Sequence, residues 1–132
     1  MATITARKIV EGGTAMSLSA CATGGDAFLN SGVEFLHIVN NHASVQYTIS
    51  VTAQTTSVRH PSYGVLTKAN QTVNVAAGTE AFMGPFRQNA FNDANNLTQI
   101  TYTVTSSGGA LSTIGGSGTR LLKIEVLYLD NQ

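Results

Sequence analysis

The chain has 132 residues, 42% of them hydrophobic and only 11% charged, with seven basic side chains balanced by seven acidic ones. A chain of this length fits one domain that can bury roughly 65–70% of the surface its unfolded form exposes, so it needs neither metal nor disulfide to stay folded. The zero net charge speaks against a free-standing nucleic-acid binder, which neutralises phosphates with a basic excess; no apolar run reaches the roughly 18 residues of a membrane span; and the single cysteine, Cys21, excludes an intrachain disulfide or a Cys-rich metal site.

In chain order, residues 3 to 10 form a weak strand carrying Ile4, Ala6 and Ile9. The segment 1–10 is a candidate either for an arm that adds to a neighbour's sheet or for an ordinary edge strand. Turn signals follow at Gly12-Gly13 and at Gly24-Gly25-Asp26. "VEFLHIVN" (33 to 40) is apolar on both faces, with Val33, Phe35 and Val39 on one and Leu36 and Ile38 on the other, as in a strand covered on both sides. After Asn40-Asn41, "SVQYTISVTA" sets Val45, Tyr47, Ile49 and Val51 against Gln46, Thr48, Ser50 and Thr52, the alternation of a half-buried strand. Weaker strands are expected at 71 to 76 and 80 to 86, on either side of the turn at Ala77-Gly78, and residues 88 to 96 have room for one short helical turn.

"LTQITYTVT" then repeats the alternation, with Ile100, Tyr102 and Val104 inward. The tract "SSGGALSTIGGSG" (106 to 118) reads as a long mobile Gly/Ser-rich loop. "TRLLKIEVLYL" closes the chain, with Leu122, Ile124, Val126 and Tyr128 alternating against Lys123 and Glu125. No segment offers a sustained i, i+3, i+4, i+7 apolar stripe of helical length. The expectation is a single all-β domain over 1–132, an antiparallel β-sandwich or small barrel with long loops and little helix.

Tests for chemistry find little. Glu11, Asp26, Glu34, Glu80, Asp93, Glu125 and Asp130 form no local acid/base pair, and Glu34 and Glu125 fall on outward strand phases, where surface charges are expected. His37 shares the apolar face of Phe35 and Val39 and reads as a satisfied core or interface histidine. His42 and His60 fall in turn or loop segments, and His37 and His42 point to opposite faces, so no metal ladder forms. Asp26, Asn30, Asp93 and Asn95 carry calcium-compatible oxygens at a spacing that fits no known loop. No G-x-S-x-G elbow or Gly-Lys-Ser/Thr cradle occurs, so no enzyme activity and no cofactor are expected. Sugar binding lacks a Trp platform; Tyr63, beside Gly64 in "HPSYG", is the available aromatic. The opening "MATITARKIVEGG" has no basic-then-apolar leader, which points to a soluble product made in a reducing cytoplasm.

The most concentrated stretch is "GTEAFMGPFRQNAFND" (78 to 93). Glu80 to Phe82 begin a strand there, and Gly84-Pro85 breaks its ladder because Pro has no N–H to donate. Phe86 and Phe91 plug the end of the core, Arg87, Gln88 and Asn89 are pushed outward, and Asn92-Asp93 makes the next turn. Together with "GDAFLNSGVEFLHIVN", the valine-rich alternating strand and the closing hydrophobic strand, it resembles small virion proteins of tailed bacteriophages, the capsid decoration or cement proteins. The matching segments span about residues 24 to 104 plus the last strand, and Gly-Pro-Phe followed by Phe-Asn-Asp is the most specific piece.

That resemblance implies a β-sandwich, jelly-roll-like in form, which sits on the capsid surface of the virion, contacts the major capsid protein and often forms a homotrimer. Arg87, Gln88, Asn89 and Tyr63 are the candidate protein-contact residues. The rival reading is a tail- or fibre-associated recognition module for a host glycan or protein, using Tyr63, His60 and the 106 to 118 loop.

Overall fold

The computed structural model describes residues 2–22, 24–42, 44–54, 57–104 and 122–129, with the backbone alone at 57–60 and 66–67; the tract 106 to 118 lies outside the described residues. The strands in chain order are β1 (Ala2–Ile4), β2 (Arg7–Ile9), β3 (Ser19–Ala20), β4 (Asp26–Leu29), β5 (Phe35–Asn40), β6 (Tyr47–Val51), β7 (Ser57–His60), β8 (Gly64–Thr67), β9 (Gln71–Val75), β10 (Glu80–Met83), β11 (Leu97–Val104) and β12 (Leu122–Leu129), with one short helix, α1 (Gln88–Phe91). One sheet runs β1-β4-β11-β6-β9 and the other β10-β5-β12-β2, with β3 also on β12. The two pack face to face, as the alternating sequence predicts of a sandwich. They are mixed rather than purely antiparallel, because β1 joins β4 and β2 joins β12 in parallel. Residues 2–9 thus pair with both sheets of their own chain.

The antiparallel pairings are nested. β4 pairs with β11, β5 with β10, β6 with β9, and β7 with β8 at the tip. One long hairpin rolled over on itself gives this order, which is the connectivity of a jelly roll. Unlike the common form, the tip hairpin β7–β8 stays a separate two-stranded sheet, and β12 fills the other side of β5 instead. The sequence reading took the connection "HPSYG" as loop only; it is the turn of this hairpin, with His60 paired to Gly64.

Period-two patterning decides which side chains make the core. Tyr47, Ile49 and Val51 of β6 face inward beside Ile100, Tyr102 and Val104 of β11, and Leu36 and Ile38 of β5 beside Leu122, Ile124 and Val126 of β12. Burying each such Leu, Ile or Val contributes about 1.5–3 kcal/mol. Asn40, read in sequence as part of a turn, instead ends β5 wholly buried. Its amide donates to Val45 O (2.7 Å) and Val75 O (3.0 Å), tying one sheet to the edge of the other.

The "GPFRQNAFND" corner takes the expected form. Phe86 and Phe91 are buried edge to face with centroids 5.5 Å apart, and Phe28 closes on Phe86 at 6.1 Å. Gly84 has φ +118, and a Cβ there would stand 3.1 Å from Phe35 Cα and 3.2 Å from Glu34 O, so only glycine fits. Buried Asn30 ties the corner down: its amide donates to Phe86 O (3.0 Å) and Asn92 Oδ1 (2.8 Å), while its own carbonyl accepts from Gln88 and Asn92. Asp93 forms the next turn by accepting from Leu97 N and Asn95 N, and these bonds hold its carboxyl below the usual range.

Glu34 corrects the sequence reading. It is buried rather than outward, because it precedes β5 in a loop and folds back on Ser31 N (2.7 Å) and Ser31 Oγ (2.8 Å). Burial alone would raise its pKa, but these donors outweigh burial and hold it below the ordinary carboxylate value.

Candidate protein-contact surface

The outer face of the β10-β5-β12-β2 sheet carries the most unusual chemistry of the fold. Register sets Phe82 opposite His37 and His37 opposite Glu125, with Phe35 opposite Leu127 one step along. His37 is 4% exposed and Glu125 2%, although Glu125 falls on the phase read from sequence as a solvated surface charge. The cause is a strap that no periodicity reveals. Residues 13–17 cross over this face, pinned by Arg7 Nη1 donating to Ala15 O (2.8 Å) and by Ser17 N donating to Glu125 Oε1 (3.3 Å).

His37 sits between two carboxylates. Nδ1 lies 2.9 Å from Glu125 Oε2 and Nε2 lies 2.7 Å from Glu80 Oε1. With both carboxylates ionised, each can only accept, which requires a proton on both ring nitrogens. Burial alone would lower its pKa; the hydrogen bonds and charges of Glu125 and Glu80 outweigh burial and raise it above the ordinary value. Arg7 Nη1, 3.6 Å from Glu125 Oε1, completes a cluster of two basic and two acidic side chains. Phe82 lies over the His37 ring, nearly parallel at 4.7 Å. Sequence could place His37 on an apolar face, but its acids stand 43 and 88 residues away on other strands. A charged residue inside each of two doubly apolar strands, His37 in "FLHIV" and Glu125 in "KIEVL", is the signal that could have paired them.

Around the cluster the face is apolar. A groove of about 430 Å³ runs between the strap and β10, lined by Ile9, Met16, Phe35, Phe82 and Leu127 with His37 and Glu125 at its floor. Met16 and Phe82 stay 68% and 65% exposed at its rims, and Leu129 projects from the end of β12.

No protein-family model, curated protein or solved structure matches this chain. Among the described residues, every buried side-chain polar atom has a partner, and no group of three or more His, Cys, Asp or Glu is placed to hold a metal ion. Asp26, also buried, accepts from Tyr102 Oη at 2.6 Å. Burial first, then neighbouring Cys21 and Asp26, push that hydroxyl far above its ordinary range, so it remains a neutral donor.

Of the contact residues expected from sequence, Arg87, Gln88 and Asn89 stand together, exposed, at the start of α1. Gln88 also reaches inward to Asn30 O at 3.1 Å. Tyr63 stands apart from them on the β7–β8 hairpin, 76% exposed. Of the other members of the alternative recognition site, only the backbone of His60 is described, and the 106 to 118 loop lies outside the described residues.

Proposed function

We propose that this chain is a non-enzymatic phage virion structural protein, a capsid decoration or cement protein that docks on the assembled shell and bridges subunits of the major capsid protein, as a homo-oligomer such as a trimer. The observation that carries this reading is the outer face of the β10-β5-β12-β2 sheet, where Phe82, Met16 and Leu129 are exposed side chains around an apolar groove. Such a surface gains free energy when a partner covers it. Few ions oppose that step: three of the seven acids, Asp26, Glu34 and Glu125, are already buried within the fold. The resemblance in residues 24 to 104 supplies the class of partner. A protein that binds only the assembled shell stabilises it by mass action.

Co-sedimentation with empty shells tests this. The chain is expected to pellet with them, and the Met16→Glu/Leu129→Glu variant, with unchanged melting temperature, to bind at least tenfold more weakly. Absence of shell binding, or equal binding by the variant, overturns the reading. Tyr63 and Val65, both exposed on the separate β7–β8 hairpin, favour the second reading, a tail- or fibre-associated module for a host glycan or protein. Loss of host adsorption in Tyr63→Ala, with shell binding absent in the parent chain, would select it.

A further inference from the structure

Among the described residues no strand closes the sandwich between β9 and β10, the adjacent edges of its two sheets. Asn40 N donates to Thr79 O at 2.9 Å, and this bond fixes the phase of the β10–β5 ladder. Thr79–Asn40 is a hydrogen-bonded pair, so by alternation Ala81–Ile38 and Met83–Leu36 are too. The N–H and C=O groups of Glu80 and Phe82 therefore point away from β5, to the open edge. Among the described residues these main-chain groups have no partner. In a common jelly roll β7 would lie there while also pairing with β8, but here β7 and β8 form a separate two-stranded sheet.

Beside this edge lies a cleft of about 410 Å³, walled by Thr72 and Val73 of β9 and by Phe82 and Met83 of β10. Lys68 and Arg87 also line it, and among the described residues no acidic side chain does. Lys68 Nζ stands 5.4 Å over the Phe91 ring, which holds that charge at the wall. The Glu80 carboxylate is engaged by His37 on the outer face of the sheet and does not line the cleft.

We propose that this cleft accepts an extended segment of a partner protein, which adds as a strand to β10 through the main chain of Glu80 and Phe82 and carries an acidic side chain to Lys68 and Arg87. Main-chain bonding to an open edge supplies affinity without demanding a sequence, and the paired cations supply the preference for an acid. β10 spans about 13 Å at roughly 3.3 Å per residue, so four or five residues of the partner fill the edge. The inference rests on the reading of the chain as a protein-docking module, but it uses a different surface from the one tested at Met16 and Leu129.

A displayed library of random dodecapeptides, panned on the full chain and followed by fluorescence anisotropy of the enriched peptides, tests it. Enriched peptides are expected to carry Asp or Glu and to lose binding when alternate backbone nitrogens are methylated. Lys68→Glu/Arg87→Glu should weaken them at least tenfold, with affinity restored when the peptide acid is changed to Lys. Met16→Glu/Leu129→Glu should leave the peptides bound even if it abolishes shell docking. A panning that enriches nothing, or peptides indifferent to the charge reversal or to N-methylation, overturns the proposal.

Discussion

Replacing His37 with alanine is expected to destabilise the fold by about 3 kcal/mol in urea denaturation followed by circular dichroism, the largest effect of any change on the outer face. The substitution leaves Glu125, 2% exposed, with Arg7 at 3.6 Å and the Ser17 N–H as its partners among the described residues. An uncompensated buried charge costs more than the lost hydrogen bonds themselves. Removing both charges together, in His37→Leu/Glu125→Leu, should therefore cost less than His37→Ala alone; a double variant at least as unstable as the single one would show that the pair is not coupled.

The same cluster makes stability depend on pH. The folded-state pKa of His37 lies above the ordinary value of 6.5, so the folded state binds the proton more tightly than the unfolded one. Its contribution is fully present below about 6.5 and is lost as pH rises through the higher folded value. The parent chain should lose stability as pH rises above about 6.5, and His37→Gln should flatten that slope. A parent curve that rises or stays level across this window would contradict a raised pKa for His37 in the fold.

Asn30→Ala should cost on the order of 3 kcal/mol by the same assay, since it strips hydrogen bonds from Phe86 O and Gly32 N and one of two donors from Asn92 Oδ1 at the core end. Asn74, whose side chain pairs with Thr48 at an exposed site, is the control; Asn74→Ala should stay within about 0.5 kcal/mol. Equal effects of the two substitutions would mean that the Asn30 network does not hold the corner.

These two sites also show what a single sequence can convey. Strands β5, β6, β11 and β12 were legible because their alternation is written in adjacent residues, and Phe86 and Phe91 were legible as a corner plug because Gly-Pro interrupts a strand between apolar runs. β4 was not, since Asp26 looked like part of a glycine turn; buried beside Tyr102, it begins a central strand instead. The β7–β8 hairpin was hidden by Pro61 in its turn. Glu34 and Glu125 were placed outward by phase alone, and phase does not register a loop that folds back or a strap that crosses a sheet. Long-range polar pairing depends on which strands become neighbours, and one sequence carries little of that information.

The proposed contact surface is the outer face of the β10-β5-β12-β2 sheet. Cryo-electron microscopy of empty phage shells incubated with the full chain addresses it most directly. The expected map places Phe82, Met16 and Leu129 against the major capsid protein, with the opposite sheet toward solvent. Shells that carry no added density, or density with those three side chains facing solvent, would contradict it.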